Sequence, residues 1–251
     1  MNIAIVILAA GKGKRMGLVD KPKVMAEISQ KPLIGFVMEA VLPLNPDFII
    51  PVIGVHKEIV EEYLQKSFPG KAQCVVQSEQ LGTGHAVQQS QSVLNNFKGK
   101  VLILTGDTPL IKTDTLNKFI LASEEFTPKP QAVTLSAFTD SPFGYGRIVR
   151  NASGDFTGIV EEKDANDQHK NIQEINTGIF LVDAQELFSA LSKISNTNAQ
   201  GEFYLTDIIA VLQHEGKHVA AIPSMNFDEF RGINTIEELE KARQFYQSQQ
   251  S

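Results

Sequence analysis

Continuous apolar runs alternate with amphipathic stretches along the first half of the chain. Ile3-Ala4-Ile5-Val6-Ile7-Leu8-Ala9-Ala10 has no polar position, the pattern of a strand buried on both faces, and predicts a strand over 2–9. Leu33, Ile34, Val37, Met38 and Val41 recur at helical spacing, and Phe48-Ile49-Ile50-Pro51-Val52-Ile53 reads as a second strand. Ile59, Val60, Tyr63 and Leu64 mark a helix, Cys74-Val75-Val76 a short strand, and Ala86, Val87, Val93, Leu94 and Phe97 another helix. Val101-Leu102-Ile103-Leu104 predicts a buried strand that ends at Thr105-Gly106-Asp107. Such alternation is the sequence pattern of a parallel sheet with helices on both faces.

Beyond a helix near 113–125 the rhythm changes. Strand-like segments at 132–138, 146–151, 156–162 and 176–182 carry turn residues between them and little helix, which predicts an antiparallel or mixed extension of the sheet. Helices near 184–194 and 204–215, a strand at 218–222 and a terminal helix complete the chain. Thr235 and Glu238 have capping-box spacing for that last helix, whose Ile236, Leu239, Phe245 and Tyr246 are expected to pack on the body, while the polar tail from Gln244 to Ser251 is expected to fray. The expected class is α/β, a mixed but mostly parallel sheet flanked by helices.

The chemistry gathers where strands end. Ala9-Ala10 opens into Gly11-Lys12-Gly13-Lys14-Arg15-Met16-Gly17, small residues and glycines that let backbone approach a ligand beside concentrated positive charge. Lys21-Pro22-Lys23 follows, with a proline that restricts where the second lysine points. Five basic residues within 12–23 stand out in a chain of 251 residues whose formal net charge is −6. That balance opposes general nucleic-acid binding yet allows a polyphosphate to be focused into one cleft. Asp107, just past a buried strand, is the first metal candidate, because magnesium binds one or two carboxylates with substrate phosphates and water completing its shell. Gln77-Ser78-Glu79-Gln80-Leu81-Gly82-Thr83-Gly84-His85 leads from a strand into a helix, and its amide and backbone groups can read a nucleobase. His85 has no histidine partner at metal-ligand spacing and is assigned an auxiliary or structural role.

With 42% hydrophobic and 21% charged residues the chain reads as globular, and its N-terminal apolar run lacks both a basic region before it and a cleavage site after it. A cytoplasmic protein with no membrane partner is expected. Cys74 is the sole cysteine, excluding an intrachain disulfide or a thiolate metal cluster, and its valine neighbours mark it as core filler.

Leu8-Ala9-Ala10-Gly11-x-Gly13-x-Arg15-Met16 with Pro22-Lys23, the run from Gln77 to His85, and Gly106-Asp107-Thr108-Pro109-Leu110 together resemble the uridylyltransferase domain of the bifunctional bacterial N-acetylglucosamine-1-phosphate uridylyltransferase/glucosamine-1-phosphate acetyltransferases. Phe143-Gly144-Tyr145-Gly146-Arg147-Ile148, the run from Gly158 to Ala165, Glu174-Ile175-Asn176-Thr177-Gly178, the run from Asn198 to Asp207, and Gly232-Ile233-Asn234 continue the resemblance in order across nearly the whole chain. It implies a Rossmann-like nucleotidyltransferase fold with a smaller β-rich sugar-binding lobe. Residues 1–234 would form the nucleotidyltransferase domain, 1–130 mainly for nucleotide and 131–234 mainly for sugar, with 235–251 as terminal helix and tail.

Carried over by residue, the resemblance places Leu8, Ala9, Ala10, Gly11, Gly13, Gln77, Gly82, Thr83, Lys23 and Asp107 around the uridine nucleotide. Arg15 and Lys23 would neutralise phosphate charge in catalysis. Asp107 and Asn234 would hold Mg²⁺, and Gly146, Glu161, Asn176 and Thr105 would surround the sugar. The implied reaction joins UTP and N-acetylglucosamine 1-phosphate into a UDP-sugar and pyrophosphate. Another nucleotide (dTTP or CTP), another sugar 1-phosphate, or a noncatalytic sugar-nucleotide-binding regulator are the alternatives. The family's left-handed β-helix and its acetyl transfer are not expected here, since no apolar hexapeptide repeat is present, and a monomer or weak homo-oligomer is expected. Thr105 where the family often has tyrosine, one extra residue between Arg15 and Lys23, and Ala26 in place of a frequent histidine bear on the choice of sugar and leave the phosphate chemistry intact.

Overall fold

The computed structural model describes residues 1–11, 13, 16–18 and 20–248, with side chains through Tyr246. In chain order the elements begin with β1 (Ile3–Ala9), the hairpin strands β2 (Glu27–Ile28) and β3 (Lys31–Pro32), α1 (Leu33–Val41), β4 (Phe48–Ile53), α2 (Lys57–Ser67) and β5 (Val75–Val76). Then come α3 (Thr83–Gln89), α4 (Gln91–Leu94), β6 (Lys100–Thr105), α5 (Thr113–Glu124), β7 (Ala132–Phe138), β8 (Arg147–Arg150) and β9 (Phe156–Val160). The chain closes with α6 (Asp167–Lys170), β10 (Glu174–Asp183), α7 (Ala184–Leu191), α8 (Asp207–His214), β11 (Val219–Ser224) and α9 (Ile236–Ser248).

One sheet, in the order β11-β7-β10-β6-β1-β4-β5, organises the molecule, with β8 and β9 branching from β10. β1 pairs in parallel with β4 and β6, and β4 with β5. β10 runs antiparallel to both β6 and β7, while β11 returns parallel to β7. The sheet is therefore mixed and mostly parallel, as expected. The uninterrupted apolar run of β1 is explained by its central position: Ile3, Ile5, Ile7 and Ala9 face a core shared with α1, α2 and α5, whereas Ala4 and Val6 face one shared with α3, α4, α7 and α8.

Several expected boundaries move for identifiable reasons. The helix expected through 86–97 breaks at Ser90, whose hydroxyl donates to the Val87 carbonyl at 2.6 Å and competes with helix continuation. The helix expected from 204 begins at Asp207, since Phe203 and Leu205 are hydrogen-bonded to Leu81 in the loop before α3 and to Gly84 and Thr83 in its first turn. β10 starts at Glu174 because Glu174 and Ile175 already pair with Phe138 and Ala137. The β2–β3 hairpin carried no turn signature: Ser29 and Gln30 occupy its left-handed positions at φ 48° and 67°, where glycine or asparagine usually advertises the turn.

The capping box forms as expected, with Thr235 Oγ1 accepting from the Glu238 amide at 3.2 Å and Glu238 accepting from the Thr235 amide at 3.0 Å. Leu239 and Ala242 are the buried side of α9, and Tyr246 meets Phe36 edge to face at 5.2 Å. This rotation leaves Ile236 exposed, correcting the expectation that it packs inward, and Phe245 sits at the rim. The Arg243 guanidinium donates twice to the Glu27 carbonyl, and the helix runs to Ser248. Residues 249–251 of that expected tail lie outside the described residues. Cys74 packs half-buried against the first core, and burial, with Glu61 adding, pushes its thiol up to about 11. No helix among the described residues is long and apolar enough to cross a membrane.

Candidate active site

At the carboxyl ends of β1 and β6 the chain turns into glycines, and the two ends are tied together by the Gly106 amide donating to the Leu8 carbonyl at 2.9 Å. Gly13, at φ +64°, stands against Lys23, where an added Cβ would come within 3.2 Å of the Lys23 Cβ. Lys12, Lys14 and Arg15, the remaining cations of this loop, lie outside the described residues. Lys23 itself starts a short 3₁₀ turn entered from Pro22. Its ammonium donates to the Asp107 carboxylate and, at 2.6 Å, to Asn234 Oδ1. Asn234 reaches this place because the Ile233 amide donates to the Asp107 carbonyl at 3.0 Å, stitching the segment before α9 onto the end of β6. One cation already binds one carboxylate and one amide oxygen here, a donor set of hard oxygens.

The opposite wall comes from β10, β8 and β9. Two extra residues, Thr177 and Gly178, interrupt the pairing of β10 with β7 between Asn176 and Ile179. Within that bulge Asn176 Oδ1 accepts from Thr134 Oγ1 at 2.9 Å and from the Gly178 amide at 3.1 Å, which leaves the Nδ2 hydrogens without a partner among the described residues. Glu161, just past β9, accepts from Thr206 Oγ1 at 2.9 Å through Oε1. Burial pushes the Glu161 carboxyl above its ordinary range; the Thr206 hydrogen bond opposes this, and Asp207, Asp164 and Glu202 add to it. Gly146 lies between these groups: an added Cβ would stand 3.4 Å from Glu161 Oε2 and 3.6 Å from Asn176 Cβ. Arg147, buried beneath, pairs with Glu162 at 2.8 Å and donates to the Tyr145 carbonyl, fixing the glycine loop from below.

The third part is the loop before α3. Gln77 follows β5, its amide donating to the Ile53 carbonyl at 2.8 Å, and its side-chain Nε2 lies 3.0 Å from the Gly82 carbonyl and 3.1 Å from His85 Nδ1. Gly82 takes φ +115°, and any Cβ there would press to 2.5 Å from the Phe203 carbonyl, so this position requires glycine. The loop is bonded to the segment before α8: Phe203 N to Leu81 O at 2.8 Å, Gly84 N to Phe203 O at 2.8 Å, and Leu205 N to Thr83 Oγ1 at 2.9 Å.

A cleft of about 210 Å³ results, and its lining includes Leu8, Thr83, Thr105, Asp107, Gly146, Glu161, Asn176 and Asn234. Lys23 contacts two of these, whereas Ala9, Ala10, Gly11, Gly13, Gln77 and Gly82 fall outside the lining itself, Gly82 adjoining it through Thr83. Sequence reasoning missed Tyr145, Thr206 and Gly232 in the lining and Thr134 behind it. Thr134 did leave a signal, a polar residue in the middle of the apolar run Ala132-Val133-Thr134-Leu135.

Residues 5–171 match the family model described as the MobA-like NTP transferase domain. The "Bifunctional protein GlmU" of Streptococcus gordonii is 45% identical over 233 residues, covering 93% of this chain and 49% of that protein. The protein of the same name from Streptococcus suis is 43% identical with the same coverage. The chain thus spans about half the length of the curated relatives it matches. Among solved structures, a UDP-glucose pyrophosphorylase complexed with UDP-glucose superposes with TM-score 0.81 at 19% identity, over 99% of this chain and 100% of that one. A putative glucose-1-phosphate thymidylyltransferase from Bacillus anthracis gives 0.73 at 18% identity, over 97% and 94%. These likenesses establish a shared fold.

Proposed function

Because the chain belongs to the MobA-like NTP transferase domain family, we propose that it transfers UMP from UTP to N-acetylglucosamine 1-phosphate, releasing pyrophosphate and a UDP-sugar. The observation that carries this reading is the meeting of Lys23, Asp107 and Asn234 at one edge of a cleft whose other wall holds Glu161 and Asn176. The 45% identity to a GlmU over nearly the whole chain supports the same substrates.

Asp107 and Asn234 would hold a Mg²⁺ ion. The fit is good: their oxygens already share one cation, and no cluster of three or more acidic, histidine or cysteine side chains occurs among the described residues, which suits an ion bound mainly by phosphates and water. When bound, that ion would screen the triphosphate charge and make its α-phosphorus more open to attack.

A phosphate oxygen of the sugar 1-phosphate forms the new bond to the α-phosphorus of UTP, and the bond to the departing pyrophosphate breaks. The attacking group is already an anion, so no general base and no covalent intermediate are required. The protein's task is to bring two anions together and align them. Lys23 and Arg15 supply positive charge to the phosphates. Glu161 accepts from sugar hydroxyls, Asn176 donates through Nδ2, and Gly146 leaves room for the ring. Gln77 and the backbone around Gly82 and Thr83 hold the base. A cytoplasmic location and a monomer or weak homo-oligomer accompany this reading, the latter checked by light scattering.

Pyrophosphate release measured for UTP, dTTP and CTP against N-acetylglucosamine, glucose and galactosamine 1-phosphates tests the reading. Turnover highest with UTP and N-acetylglucosamine 1-phosphate is expected. Another preferred pair would reassign the substrates, and tight UDP-sugar binding without any turnover would replace the enzyme by a sensor.

A further inference from the structure

Gln77 is 3% exposed and presents a polar side chain whose two ends differ chemically. The Gly82 carbonyl, which can only accept, faces Nε2 at 3.0 Å and so orients the amide; a flipped side chain would set two oxygens against each other. That carbonyl also accepts from the Ala86 amide at 3.1 Å, so it is held by the start of α3. The second hydrogen on Nε2 is directed at His85 Nδ1, 3.1 Å away. For this contact to be a hydrogen bond, Nδ1 must be the unprotonated ring nitrogen, with the imidazole hydrogen on Nε2. Both donor hydrogens of Gln77 are then used, and Oε1 is given no partner by the described residues.

We propose that His85 is a specificity-determining residue: by occupying the second amide hydrogen of Gln77, it leaves that side chain only an acceptor to offer the nucleobase. An acceptor matches the N3–H of uracil and opposes the bare N3 of cytosine. Thymine carries the same N3–H, so the contact sorts uracil and thymine from cytosine and leaves the choice between those two to other groups. His85 acts through Gln77 and is a positioning residue, not a catalytic one. This rests on the uridine reading of the loop.

The test compares UTP with CTP in the wild type, His85→Leu and His85→Asn, together with the affinities of UDP and CDP by calorimetry. Removing the acceptor frees an N–H that can face cytosine N3, so in the Leu variant the UTP:CTP ratio of kcat/KM is expected to fall about tenfold or more, carried by KM with kcat little changed. Asparagine, whose side-chain oxygen can replace Nδ1 as acceptor, is expected to restore most of the ratio. An unchanged ratio in His85→Leu, or equal losses for both nucleotides, overturns the proposal. A wild type without preference for UTP over CTP overturns the uridine reading and this inference with it. Should the Leu variant fail to fold, nitrogen NMR of the wild-type imidazole decides: an unprotonated Nδ1 supports the assignment and a protonated Nδ1 overturns it.

Discussion

On the β1–β6 wall of the cleft, Asp107 and the glycine loop leave the ends of parallel strands beside glycines and alanines, and Lys23, after a proline, meets Asp107 and Asn234 there. On the β8–β10 wall the functional groups sit in or beside strands and are held by hydrogen bonds from residues far away in the chain: Asn176 by Thr134, Glu161 by Thr206. In the proposed reaction the first wall would handle charge, with Lys23 the partly buried cation that the described residues show there. The second would recognise shape and hydroxyls in that reaction through side chains already held by Thr134 and Thr206. A chain can write the glycines and charges of the first wall locally, whereas the positions of its Lys23, Asp107 and Asn234, like those of the second wall, need several segments to agree.

The largest separation of the two walls should come from Asp107→Ala. It is expected to lower turnover by about 10³-fold or more and to raise the Mg²⁺ concentration needed for half-maximal turnover, while the melting temperature stays nearly constant. An unchanged Mg²⁺ dependence would move the ion elsewhere. Next in size, Lys23→Ala is expected to reduce the single-turnover rate at saturating UTP by roughly 10²-fold, with little change in stability. A rate that stays at the wild-type level would take Lys23 out of the chemical step.

Gly146→Ala strikes the other wall. The new methyl would sit 3.3 Å from Ile159 Cγ2 and 3.4 Å from Glu161 Oε2, so the KM for the sugar phosphate is expected to rise about tenfold with the KM for UTP unmoved. Equal effects on both substrates would show that the two walls do not divide the labour. The smallest effect concerns pH. The buried Glu161 carboxyl is raised from its ordinary 4.5, and protonation turns one of its two acceptor oxygens into a donor and removes the charge that strengthens its bond to a hydroxyl. As pH falls through that raised value the acceptor is weakened, so sugar-phosphate affinity should begin to drop at a pH above 4.5, by a few-fold at first. Glu161→Gln, which cannot titrate, should show only the pH dependence of the substrate itself; identical profiles would take Glu161 out of sugar binding.

The pattern of apolar residues made most elements legible, because a strand buried on both faces and a helix with one apolar stripe leave different periods in the sequence. It failed where a local rule was broken without an outward sign. The β2–β3 turn uses serine and glutamine in left-handed positions, and Ser90 splits a helix with its own hydroxyl. The terminal helix was legible from its capping box, yet which of its apolar residues point inward depended on where Phe36 and the Glu27 carbonyl wait for it.

By itself the sequence determined that a glycine-rich basic loop follows a buried strand, that Asp107 ends another, and that Gln77 and Gly82 share a loop, since backbone access and charge are properties of neighbouring residues. Only the tertiary structure decided that Lys23 reaches Asp107 and Asn234 together, that a bulge in β10 turns Asn176 onto Thr134, and that Gly82 must be glycine because Phe203 lies against it. The physical reason is distance: a hydrogen bond across 211 or 42 residues leaves no trace in either segment alone, and it exists only once the sheet has set its strand order.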